Sequence, residues 1–219
     1  MVDTVVKGRN VKVEIATGFA GAVVVDAVTK ASPGVAHSAA HGLTNGMVGY
    51  FDGVEGMVQL EGQACRVSAK TADNFNLQGL NTTNFSDFSG SADFHPANGW
   101  VTLAEATSYQ IGGGAAEKLD TTALIDSVKK EENGLLAAQS MDIGVNALTT
   151  PSAAGALIEG AAQAGTKLLF RITLQDGSLR LCYGEPSLPG ENVQKGQVGT
   201  GSFAITVKGF ILKLPASAA

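Results

Sequence analysis

Residues 100–134, WVTLAEATSYQIGGGAAEKLDTTALIDSVKKEENG, decide how this chain is read. The stretch opens as a strand, crosses three consecutive glycines and becomes a long polar arm. A β-like pattern then resumes at LLAAQSMDIGV. A structureless connection this long is uncommon inside a compact domain and is usually either functional or disordered. Plain disorder fits poorly, because Leu119, Leu124, Ile125 and Val128 sit among the charges. An arm that cannot bury those side chains on itself is expected to bury them on a neighbour, which points to assembly and away from catalysis. Gly112, Gly113 and Gly114 read as the hinge at its root.

The 219 residues suffice for one large domain or two small ones. Charged residues make up only 16% and there are 28 glycines, which fits a β-rich protein with many turns and broad contact surfaces. A net charge of −5 weighs against a grip on nucleic acid through its phosphates, though not against nucleic acid passing nearby. The N-terminus shows no apolar h-region or cleavage site, and no run approaches the ~18 apolar residues of a membrane span. No membrane anchor is therefore expected, and synthesis in a cytoplasm is. Cys65 and Cys182 each lie in an apolar strand-like run and read as buried free thiols in preference to a disulfide.

Outward from the arm, residues 4–16 and 22–29 read as Val-rich strands separated by TGFAG. Between Gly34 and Pro96 short apolar runs alternate with turn signals (HGLTNG, FDGVEG, TADN, SDFSGS), the texture of a small all-β barrel. This segment carries a net charge of −4, most of the chain's total, and looks like an inserted module. Beyond the arm, 135–148 reads as a strand. TTPSAAGALIEGAAQAGT reads as a helix capped by Thr150, with Pro151 in its first turn, Gly165 at its end and a stripe of Leu157, Ile158, Ala161 and Ala162. KLLFRITL–QDGS–LRLCYGE is a hairpin turned at Asp176–Gly177, and TGSFAITVKGFILKLP is a long strand with Phe203, Ile205 and Val207 on one face. Only the tail ASAA looks frayed.

Chemistry-bearing patterns are weak. His37 and His41 have helical metal-ligand spacing, but they lie among turn and strand signals, so no metal site is expected. Gly112–Gly114 lacks the strand-to-helix context and the following Lys-Ser/Thr of a phosphate cradle. No GxSxG occurs, and no Ser has a His and acid at recognisable spacing. Glu131 and Glu132 beside Lys129 and Lys130 form a solvated face. The reading is a non-enzyme without cofactor.

The order WVTLAEATSY, polar arm, strand, TTPSAAGALIEGAAQAG, LLFRITLQDGSLRLCYGE and GSFAITVKGFILKLP resembles the tail tube (major tail) proteins of long-tailed, non-contractile bacteriophages. The marks are a helix opening near a Pro, a strand–DG–strand hairpin leading to Tyr183–Gly184, and a closing strand of alternating V/T/I and K-G. Separately, AAHGLTNGMVGYFDGVEGMVQLEGQACRVSAKTADNFNLQGLNTTNFSDFSG resembles a small β-barrel module of phage proteins and ubiquitin-activating enzymes, with Met47 departing from the polar residue usual there. These resemblances imply a mainly β fold: a tail-tube β-sandwich or barrel with one helix and a long loop arm, comprising residues 1–30 and 98–219. A small all-β barrel module, residues 31–97, would be inserted on the tube exterior.

The resemblance further implies homo-hexameric rings stacked helically into a conduit through which DNA passes without specific binding. Partners would be the tape measure, terminator and baseplate hub proteins, in a virion tail built from protein made in the host bacterial cytoplasm. Asp142 and Glu185 are the expected lumen-facing acids, and Arg171 and Lys208 are expected to pair between subunits. Gly112–Gly114, Leu119, Leu124, Ile125 and Val128 become the inter-subunit contact. The alternatives are a β-barrel binding or adhesion module, for which one Trp and three Tyr offer little aromatic surface, and a tail terminator or cell-encoded injection tube.

Overall fold

A computed structural model describes residues 10–147 and 150–216. The start of the expected 4–16 strand, the end of the 135–148 strand and most of the ASAA tail lie outside the described residues. Strand β1 (Lys12–Ala16) is followed by β2 (Val23–Val25), β3 (Ala27–Val28), β4 (Val35–His37), β5 (Val48–Asp52), β6 (Ala64–Ser68), β7 (Asn74–Leu77) and β8 (Ala92–Pro96). Then come β9 (Trp100–Thr102), β10 (Ala106–Gly113), β11 (Ala116–Asp120), β12 (Glu131–Leu136), β13 (Gln139–Asn146) and helix α1 (Ala153–Ala164). The chain closes with β14 (Leu168–Thr173), β15 (Leu179–Pro186), β16 (Gly190–Asn192) and β17 (Thr200–Leu214).

The protein is mainly β, as expected. One sheet runs β10-β13-β17-β15-β14-β1-β9, with β16 added to β17. It curls into a nearly closed barrel, because strands far apart along that path share one core: Met141 and Ile143 of β13, Phe203 and Ile205 of β17, Phe170 and Ile172 of β14, and Val13 and Ile15 of β1. Helix α1 adds Ala154 and Ile158 to that core. Period-two alternation does this work: Phe203, Ile205 and Val207 point inward while Ser202, Ala204 and Thr206 do not. The DG hairpin forms as read, with the Asp176 carboxylate accepting from the Ser178 amide and Gly177 at φ +81°.

The helix differs in one detail. Its cap is Ser152, whose Oγ accepts from the Gly155 amide at 3.0 Å, so Thr150 and Pro151 precede the cap. A cap hydroxyl accepts from the amide two or three residues after it, so Ser152 reaches Gly155 while Thr150, five residues before Gly155, is too far upstream. Of the expected stripe, Ile158 and Ala161 are buried, joined by Ala154.

The second sheet runs β2-β8-β5-β6-β7-β4-β3. Residues 22–29, expected within the first unit, join the second sheet instead: β2 pairs with β8 (Val23 opposite Phe94) and β3 with β4. Short Val-rich strands carry no label for which sheet they join, and their pairing is decided by non-local ladders.

The two units share a core. Leu169, Leu181, Leu212 and Leu214 on the outer wall of the barrel pack with Phe51, Phe75 and Phe94 of the seven-stranded unit. Tyr183 stacks on Tyr50 at 3.8 Å between ring centroids. Gln63, fully buried, accepts from the Phe210 amide at 3.1 Å and donates to the Phe210 carbonyl at 3.2 Å, serving as a strand partner where β17 bulges at Gly209. Lys208 reaches Glu61 at 3.0 Å.

Burial alone would raise the Glu61 carboxyl. Hydrogen bonds from Lys208 and the Val54 amide outweigh it and hold the group below the ordinary carboxylate range. A carboxyl depressed in the folded state contributes stability that is present above its unfolded value and lost as pH falls through the folded one. Thermal unfolding of wild type and Glu61→Gln should therefore differ at neutral pH, with a gap that starts to narrow near the ordinary glutamate value of about 4.3 and closes only as pH falls through the lower folded one. A constant gap across that range would show that the pair does not hold the units together.

Both cysteines are free and buried, and burial pushes the Cys182 thiol up to about 12 and Cys65 higher still. Among the described residues no helix is long and apolar enough to cross a membrane.

Candidate assembly surfaces

The arm expected as a loop is a β-hairpin through most of its length. Strands β11 and β12 form a two-stranded sheet of their own, with Leu119 opposite Glu132 and Asp120 opposite Glu131. Alternation of charge and small residues concealed the ladder, since neither strand has a buried face to create a period-two signal. The hairpin continues the β10–β13 pair, whose ladder ends at Gly113 opposite Gln139.

The three glycines divide at this root. Gly112 pairs within the ladder opposite Ser140, whereas Gly113 and Gly114 both adopt φ +76°. A Cβ on Gly113 would stand 2.4 Å from the Ala138 carbonyl oxygen. Gly113→Ala should therefore cost about 1–2 kcal/mol, seen as a melting temperature lowered by a few degrees. Gly112→Ala, which meets only the Ser140 hydroxyl at 3.2 Å, should cost far less. Equal costs would remove the special role of Gly113.

At the tip, polar groups hold the chain and apolar ones are left over. Thr121 donates to Lys130, the Lys130 amide donates to the Thr122 hydroxyl at 3.0 Å, and Asp126 accepts from the Ala123 amide and from Lys130 Nζ at 2.6 Å. Hydrogen bonds from Thr122 and from Lys130 hold the Asp120 and Asp126 carboxyls, respectively, below their ordinary values. Leu124 and Ile125 are 108% and 90% exposed, and Leu119 and Val128 are exposed too. Leu135 and Leu136 of β12, which sequence reading took into the following strand, are also exposed. Adjacent residues of a strand face opposite sides, so two consecutive leucines in a lone ribbon cannot both be covered by it. Full burial of such a side chain is worth ~1.5–3 kcal/mol, and the arm leaves that unspent on several of them.

The outer wall of β10, β13 and β17 forms a second surface. Register places Gln110, Asp142 and Ala204 in one row, Gly112, Ser140, Thr206 and Glu185 in the next, and Ser108, Gly144 and Ser202 in a third. Asp142 and Glu185 thus share one face, both exposed, among small and hydroxyl-bearing residues. The cations suspected of spoiling it are tied up within the chain. Lys208 is held by Glu61, and Arg171 lies 2.9 Å from Glu14 and 4.1 Å from the centre of the Trp100 ring. The expectation that these two pair between subunits is thereby corrected: the seven-stranded unit supplies Glu61, and β1 and β9 supply Glu14 and Trp100.

A third feature is a cleft of about 130 Å³ where α1 begins, β13 ends and the β15–β17 connection passes. Its apolar floor includes Leu103, Val145, Ile158 and Phe203, and Glu105, Glu159 and Glu191 line it. Glu105 accepts from the Ser152 hydroxyl through Oε1, while its Oε2 is buried without a partner among the described residues. Beside the cleft the connection exposes Leu188, Val193 and Val198.

Among the described residues no group of three or more His, Cys, Asp and Glu converges to hold a metal. His37 bonds Asp26, and His41 accepts from the Leu43 amide.

A barrel with an unpartnered apolar arm and an uncovered polar wall has the anatomy of a protein that works by assembling. The sequence matches the family model described as "Phage tail tube protein, TTP" over residues 55–209, more than half of the chain. The protein belongs to that family, and is thus a structural component of a virion tail that assembles with itself and with other tail proteins. The match begins at Glu55, inside the acidic segment, so the second half of that segment falls within the family region. A search of curated proteins finds no match.

Proposed function

We propose that the protein forms hexameric rings that stack into the tube of a non-contractile tail, the conduit by which DNA leaves the capsid. The observation that carries this reading is the outer wall of β10, β13, β17 and the adjoining β15, where among the described residues Asp142 and Glu185 are unpaired acids and Lys208 is held by Glu61. A lumen with fixed anions and no free cations repels phosphates and lets a duplex slide. Among the described residues β10 ends the barrel sheet with an open edge eight residues long. Pairing such an edge with the next subunit closes a larger barrel around the lumen and removes a site of indiscriminate aggregation.

The seven-stranded unit packs on Leu169, Leu181 and Leu212, and its contacts with Tyr183 and Lys208 lie one row beyond Glu185 and Thr206 on the same face. It occupies the tube exterior in this arrangement, where a contractile sheath would collide with it. Leu119, Leu124, Ile125 and Val128 bury themselves on a neighbouring subunit, with Gly113 and Gly114 setting the angle of the arm. Tape measure, terminator and baseplate hub proteins complete the tail, and the chain has no catalytic part in it. Synthesis takes place in the host cytoplasm.

Electron microscopy of concentrated protein tests the reading. Rings or tubes with a hole of duplex width are expected, and a strictly monomeric protein would defeat it. Hydrogen exchange adds a second view: residues 112–134 should be far better protected in tubes than in monomers.

A further inference from the structure

The arm and the cleft lie at opposite ends of the barrel. β13 runs from Gln139 at the arm's root to Asn146 beside the cleft, eight residues or roughly 25 Å of strand. The two surfaces also differ in the way complementary surfaces do. The tip offers Leu124, Ile125 and Val128 with Lys129 and Lys130, whose present partners, Glu131 and Asp126, are neighbours on the arm itself. The cleft offers an apolar floor with Glu105, Glu159 and Glu191, and among the described residues no Lys or Arg forms an ion pair with any of these three.

We propose that the arm tip of one copy seats in this cleft of the next copy along the tube. Leu124 and Ile125 cover the floor beside Leu188, and Lys129 and Lys130 face Glu159 and Glu191. The proposal rests on the tube reading above and names the receiving surface. Donor and acceptor are different patches at opposite ends of one chain, so the contact is heterologous and propagates without closing, as a filament requires. The exposed apolar residues of the arm tip and the three of the β15–β17 connection are covered by the same event. The unneutralised acids of the cleft acquire cations, and the lysines exchange partners on their own arm for acids that docking covers.

Cysteine cross-linking in assembled tubes tests this. Ile125→Cys is combined with Glu191→Cys, both at exposed positions, while the native thiols are buried. A short bismaleimide should join chains into a ladder extending beyond six. Ile125→Cys with Val58→Cys, on the exposed surface of the seven-stranded unit, should give none. Tubes without cross-links, a ladder that stops at six, or capture at Val58→Cys would overturn the cleft and leave the tube reading standing. Wild-type protein that forms no tubes would instead bring down the tube reading itself.

If the cysteine pair impairs assembly, charge reversal gives the answer. Lys129→Glu with Lys130→Glu should raise the concentration needed for tubes about tenfold, and adding Glu159→Lys with Glu191→Lys should restore it to within about twofold. Failure of that rescue would also overturn the proposal.

Discussion

Deleting residues 115–137 should abolish tube assembly while leaving the melting temperature of the monomer almost unchanged. The deletion leaves Gly114 and Ala138 as a two-residue loop joining β10 to β13, whose ladder already ends at Gly113 opposite Gln139. The removed strands pair only with each other and add nothing to either core. They take with them six exposed apolar side chains, several of which would be worth ~1.5–3 kcal/mol each when buried on a neighbour. A loss of that size at every contact moves assembly out of any accessible concentration range. Calorimetry paired with electron microscopy checks it. Tubes of normal length from the shortened protein would show that the arm is not an assembly element.

Gln63→Ala should be the most damaging substitution at the junction of the two units, at about 3–5 kcal/mol or a melting temperature lowered by about 10 °C. The side chain is completely buried, and its amide makes three hydrogen bonds: one to the neighbouring Ala64 carbonyl and two to Phe210. Its loss strands the Phe210 N–H and C=O at the bulge of β17 and opens a cavity beside them. Gln63→Met keeps the volume but not the amide, so it should recover only the cavity part. Gln59→Ala, on the exposed turn nearby, should cost almost nothing. Thermal unfolding of the three variants is sufficient. A mild Gln63→Ala would mean that the buried amide contributes little to holding the two units together.

Elements whose residues alternate against a core were legible in the sequence. β14, β15 and β17 have an apolar face buried on the barrel interior, and the DG turn fixes the register of β14 against β15. Asp142 and Glu185 could be nominated singly, but their placement on one face depends on the pairing of Ala204 with Asp142 and of Thr206 with Glu185, a non-local fact. The arm's apolar residues were legible because they stood among charges. Its strands were not, because a ribbon exposed on both faces leaves no periodic trace. Leu188, Val193 and Val198 were hidden for the opposite reason: single apolar residues spaced among Gly, Pro and Asn look like an ordinary loop until the fold shows them exposed. The assignment of β2 and β3 failed on length, since strands of three and two residues carry too few side chains to declare a partner.

Helical reconstruction of the assembled tube tests the central claim most directly. It should show sixfold rings with Asp142 and Glu185 facing a lumen of duplex width, the seven-stranded unit outside, and each arm crossing onto another subunit. A tube with the seven-stranded unit lining the hole, or with arms that project into solvent and touch no neighbour, would contradict it.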